Sequence, residues 1–153
     1  MAQARTALAT DLKALAITTP EAMSIRAVHE TPVSALSSEM LPCFILPLPG
    51  LRAGPNGGLN AGYAEETWAF LAGLFVAHDS HNGQWSGQVL SSFMQAVLTR
   101  FYARQTLGGA AFFINDGSPR IVPANAELFA GIQYPHVDFE FDITVGGPVT
   151  TGA

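Results

Sequence analysis

The stretch Tyr134-Pro-His-Val-Asp-Phe-Glu-Phe-Asp-Ile-Thr-Val145 decides how this chain is read. Val137, Phe139, Phe141, Ile143 and Val145 alternate with Asp138, Glu140, Asp142 and Thr144. Successive side chains on a strand point to opposite faces, so the segment has one apolar face and one made largely of carboxylate. No basic residue within it neutralises the three acids. Such a strand packs a core on one side and presents a surface on the other.

Upstream of it, Ser86 to Gln105 predicts a helix, with Ser86 as N-cap and Val89, Leu90, Phe93, Met94, Val97, Leu98 and Phe101 as a broad apolar stripe. Arg100 and Arg104 suit its negative end, and Gly108-Gly109 stops it. Glu65 to His78 is apolar on both strand faces, which fits a central strand covered on both sides or a buried helix. Gly73 and the aromatic content favour the strand. Further outward, Pro42 to Leu48 reads as a buried strand, Met23 to His29 as a short one, and Ala4 to Leu15 as a helix with Leu8, Leu12 and Leu15 on one face. Short strands are expected around Ala110–Ile114 and Arg120–Pro123, with an Asn115-Asp-Gly-Ser turn between them.

Pro49 to Gly62 holds five glycines, two prolines and two asparagines, and is expected to be a flexible loop over about 50–62. Loops of that length are commonly functional. This order of elements predicts an α+β fold: a mainly antiparallel β-sheet with two helices packed on one face. One domain should cover residues 1–145, with 146–153 a loose C-terminal tail.

A chain of 153 residues suits one domain with a real core. Only 12% of it is charged, half the usual ~25%. A surface so poor in charge is expected to be covered by other copies or partners, the alternative being a neutral soluble monomer. The net charge of −5, with its Lys and Arg scattered, argues against binding a phosphate backbone. Cys43, the one cysteine, sits in an apolar run and reads as a small core side chain; a disulfide framework and a zinc site are excluded by count. Trp68 to Ala77, the most apolar segment, falls short of the ~20 residues a membrane helix needs. With no apolar signal core at the start, the expectation is a soluble, cytosol-made protein without a membrane partner.

The search for chemistry yields little. In His78-Asp79-Ser80-His81 an extended chain points the two histidines to opposite sides, so a metal there would need a further ligand such as His136. Gly83-Gln-Trp-Ser-Gly87 has Gln84 where a nucleophile elbow needs glycine. Gly54-Pro-Asn-Gly-Gly58 lacks the Gly-Lys-Ser/Thr ending of a phosphate loop. Asp138, Glu140 and Asp142, about 7 Å apart along one face, cannot wrap a calcium ion alone. No catalytic, metal or cofactor residue is assigned, and the chain is not expected to be an enzyme.

The proline-flanked apolar run Leu41-Pro-Cys-Phe-Ile-Leu-Pro, the strand Glu66 to Val76 after a long loop, the helix Ser86 to Gln105 and the closing strand His136 to Val145 together resemble the tail-terminator and neck proteins of tailed bacteriophages. The resemblance is one of pattern and spans about residues 4–145. It implies a structural virion protein: a ring, usually a hexamer, that caps the tail tube and joins it to the head-side connector. Its partners would be further copies, the tail tube protein and the connector, with DNA passing through unbound. On that reading Asp138, Glu140 and Asp142 are expected to form an acidic face toward the channel or a partner. Arg52, Asn56 and Asn60 are candidates in an assembly loop. Another head-closure, tail-completion, tube or baseplate component is the alternative. More distant is a small enzyme or ligand-binding domain using His78, Asp79, His81 and His136.

Overall fold

A computed structural model describes residues 1–56, 63–77, 84–103, 112–115, 117–122 and 128–148. Helix α1 (Ala2–Lys13) leads to three short strands, β1 (Ala16–Ile17), β2 (Met23–Ser24) and β3 (Ala27–His29). After a single 3-10 turn at Ser38–Met40 come β4 (Cys43–Ile45), β5 (Gly50–Asn56) and β6 (Tyr63–Phe75). Helix α2 (Gln84–Ala103) precedes β7 (Phe112–Ile114), β8 (Arg120–Val122), β9 (Leu128–Phe129), β10 (Ile132–Gln133) and β11 (His136–Pro148).

The sheet is built around β6 and β11, each 13 residues long and paired antiparallel from His136↔Phe75 to Pro148↔Tyr63. Beside β6 lie β4 at its C-terminal end and β5 at its N-terminal end, both antiparallel to it. Beside β11 lie β7 and β8. Among the described strands of this sheet, only β3, which runs parallel to β4, breaks the antiparallel pattern.

The alternation in β11 does what its chemistry dictates. Val137, Phe139, Phe141 and Ile143 are buried together with Phe70, Ala72, Leu74 and Val76 of the β6 segment. Both helices contribute to the same core: Ala4, Leu8 and Leu12 from α1, and Val89, Phe93, Val97 and Phe101 from α2. The Phe101 and Phe141 rings meet edge to face at 4.9 Å, the favoured geometry for their quadrupoles. Asp11 accepts from Arg100 at 2.7 Å, tying the helices together, and Arg5 donates to the Glu30 and Leu46 carbonyls at the sheet margin. The fold is therefore α+β, mainly antiparallel, with both helices on one face.

Among the described residues, the opposite face is covered only at one end. There a smaller core joins Leu36, Leu41, Cys43, Phe75, Phe129 and Tyr134. The Tyr134 hydroxyl donates to the Leu36 carbonyl at 2.8 Å, and Phe75 meets Phe129 edge to face at 5.1 Å. Beyond that end Leu71 is 40% exposed, so β6 is not covered on both sides along its length as its two apolar faces suggested.

Several expectations need correction. Gly50–Asn56 is no loop: it pairs with β6 as an edge strand, with register shifts after Leu51 and after Ala53. An edge strand bonds on one side only, and bulges tolerate the glycine and proline that would break a central strand. Residues 57–62 lie outside those described. The strand expected over Met23–His29 splits in two. Between its halves the Ile25 amide donates to the Leu15 carbonyl and the Arg26 amide to Pro42, away from a common ladder. Helix α2 begins at Gln84, which places Ser86 in its first turn rather than at its N-cap. Gly146–Pro148 is not loose tail, because β6 extends far enough to pair with it; residues 149–153 are not described. The β9–β10 pair was not foreseen, whereas the turn at Asn115 is present, with the Ser118 amide donating to the Asn115 carbonyl at 3.1 Å and Gly117 at φ +79.

Replacing Phe141 with Ala should lower unfolding stability by about 3–5 kcal/mol, since it opens a cavity where both helices meet the sheet. Leu71→Ala, on the uncovered face, should change it by no more than about 1 kcal/mol. Urea denaturation of both variants checks the contrast, and equal losses would mean the two faces are equally packed.

Candidate functional site

Asp138, Glu140 and Asp142 project from β11 away from the helices, opposite Gly73, Leu71 and Ala69 of β6. A side chain at position 73 would place its Cβ 3.0 Å from the Asp138 Oδ1 and 3.0 Å from the Phe75 ring. Glycine there leaves room for the carboxylate.

Two arginines converge on these acids. Arg120 is the register partner of Glu140, donates to its carboxylate, and sits with Nη1 3.5 Å from the Asp142 Oδ2. Arg52 comes from the other side, from β5. It falls at the first register shift of that strand, between Leu51 and Ala53. A bulge re-aims its side chain. From there Arg52 reaches across β6, a span of two strand spacings or about 10 Å. Its Nε donates to the Asp142 Oδ1 at 2.7 Å and its Nη2 to the Glu140 Oε1 at 2.5 Å. Glu140 Oε1 thus accepts from both arginines.

The backbone beneath is fixed as well. Ser118 accepts from the Asp142 amide at 2.7 Å and donates to the Glu140 carbonyl at 3.3 Å, filling the gap between β7 and β8. Thr144 donates to Asn115 at 2.6 Å and shares a hydrogen bond with Thr67 at 3.0 Å.

The acidic wall expected from the sequence is therefore corrected. Cross-strand partners, absent from the segment itself, supply two guanidinium groups to Glu140 and Asp142. The arginine side chains are 45% exposed and those of Glu140 and Asp142 22% and 13%, so the cations lie outermost. The same pairing leaves Glu140 and Asp142 already satisfied and unsuited to calcium. Arg52 is likewise no loop residue free to recruit a partner. Asn56 belongs to β5, and Asn60 lies outside the described residues.

His78, Asp79 and His81 also lie outside them. His136 stacks on Phe75 with ring centroids 4.7 Å apart, its Nδ1 3.3 Å from the Tyr134 carbonyl. Among the described residues no group of three His, Cys, Asp or Glu could hold a metal ion, and no helix is long and apolar enough to cross a membrane. Burial pushes the Cys43 thiol up from 9.0 to about 11. A groove of about 810 Å³ runs between Ala14–Thr19 and α2, lined there by Ser92, Gln95, Ala96, Thr99 and Arg100. Among the described residues its lining holds no histidine, cysteine or carboxylate, and Arg100 is engaged by Asp11.

No protein-family model matches this chain, and no curated protein matches it.

Two outcomes follow from this geometry. A double-mutant cycle on Arg52→Ala and Asp142→Ala should give a coupling of about 0.2–1 kcal/mol, as for other half-exposed pairs, and it should shrink in molar salt. A coupling that salt leaves unchanged would show that the pair is not solvent-screened. Cys43 should resist alkylation at neutral pH until the protein unfolds. The unfolded thiol also ionises first, so stability should fall as pH rises from 9.0 toward about 11. Rapid native-state labelling would contradict the buried placement.

Proposed function

We propose that this chain is a structural subunit that works by associating with its own copies and with neighbouring proteins. The form that suits it best is a ring-forming tail terminator at the head-proximal end of a phage tail tube, joined to the connector. The observation that carries this reading is the sheet face that neither described helix covers. It exposes Leu71, while Leu48 (72%), Leu51 (53%) and Ile121 (41%) stand exposed at or near the two sheet margins. In a chain with 12% charged residues, such apolar margins on opposite sides suit head-to-tail contacts, in which each subunit offers two different patches.

The balanced charge ladder changes one element of the reading. Repulsion of DNA by a bare acidic face is not part of it, because Arg52 and Arg120 cover two of the three acids. The ladder instead fixes the shape of the surface a neighbour would meet. Another neck or tube component would have the same requirements. In a small-ligand domain the groove beside α2 would offer no acid–base group among its described lining residues.

Electron microscopy and sedimentation of the purified protein, alone and mixed with tail tubes, test the reading. Closed rings, in solution or at one end of the tubes, are the expected outcome. A protein that stays monomeric and ignores both tube ends would overturn it.

A further inference from the structure

The ladder reaches an edge strand whose pairing is irregular, although β5 is longer than the other strands that flank β6 and β11. β5 pairs with β6 at Gly50↔Ala69, Leu51↔Trp68, Ala53↔Thr67 and Asn56↔Glu65, with two register shifts among these four positions. Gly50, Gly54 and Pro55 weaken it further: glycine through backbone entropy, proline through its missing N–H. Against this, Arg52 ties the strand to Asp142 and Glu140 on β11. Those contacts are solvent-screened, with the Arg52 side chain 45% exposed.

We propose that β5 is a detachable guard on the edge of β6, latched by Arg52, and that β6 of a second copy pairs with this edge when the latch opens. Removing β5 bares the backbone N–H and C=O groups of Glu65–Ala69, and an unpaired edge of a long strand is a template for another strand. The local sequence suits its own copy. An antiparallel two-fold pairing about Thr67 sets Glu65 opposite Ala69 and Glu66 opposite Trp68, so no two like charges face each other. Within one chain the Trp68 Nε1 already donates to the Glu66 Oε2 at 3.1 Å, and the two-fold pairing offers each tryptophan the partner's glutamate at the same level. Arg52 is a positioning residue in this scheme. The closed latch keeps copies from pairing in a symmetric dimer, whatever larger assembly they enter.

The test needs no tail tube, so its result is independent of the ring reading. Thr67→Cys places a thiol on the two-fold axis, where a disulfide can form only between copies. Cys43 is buried and stays out of the reaction. On mild oxidation at low salt, Thr67→Cys alone should form no covalent dimer, and Arg52→Gln/Thr67→Cys should form covalent dimers. Molar salt should move Thr67→Cys itself toward dimer. In the protein without either substitution, hydrogen exchange over 50–56 should accelerate about fivefold in molar salt, the scale of losing one screened ion pair, and Arg52→Gln should abolish that salt response. Covalent dimers in equal yield with and without Arg52, no dimers in either, or salt-independent exchange over 50–56 would each overturn the proposal.

Discussion

The pairing of β6 with β11 is the constraint on which the rest of the structure depends. Because 13 residues of each run antiparallel without interruption, β4, β5, β7 and β8 are each placed by which stretch of this ribbon they border, and β3 follows through β4. The strict alternation of β11 then sorts the molecule into two sides. A one-residue slip would turn Phe139 and Phe141 toward water and drive Glu140 into the helices, so register and core define each other.

What lies on the far side is a consequence of that register. Glu140 and Asp142 stand on one strand, and the arginines that meet them arrive from strands on either side of the ribbon. Ion pairs this exposed add little stability, yet they set geometry. Arg52 draws a bulged edge strand onto the sheet, and Arg120 does the same for a three-residue strand beyond β11. The face is shaped by charge while carrying little net charge of its own, which agrees with a molecule that meets neighbours over broad surfaces.

Much of this was legible in the amino-acid sequence where periodicity was strong. The alternation from Val137 to Val145, the stripe from Val89 to Phe101 and the spacing of Leu8 and Leu12 each carry their own period, and each gave its element and buried face. Reading failed where structure depends on a partner far away in the chain. Gly146–Pro148 looks like tail because its strand character comes from distant β6, whereas Gly50–Asn56, which pairs with the next strand, looks like loop because its glycines and proline hide an irregular edge strand. The acids of β11 looked unneutralised because their counter-charges sit 88 and 20 residues from Glu140. A signal was present all the same. Like charges along one strand face favour opposite charges on its neighbours, and Arg120 already lay in an expected strand. Arg52, inside a glycine-rich run, offered no comparable clue.

On the proposed reading, Leu71 on the helix-free face and the exposed apolar residues near the two sheet margins are contact surfaces in the working state. Hydroxyl-radical footprinting of the free protein and of the same protein in its native assembly addresses that claim directly. Leu48, Leu51, Leu71 and Ile121 should be oxidised in the free protein and protected in the assembly, while groove residues such as Leu15 and Ile17 change little. Unaltered oxidation of those four residues, or protection confined to the groove beside α2, would contradict it.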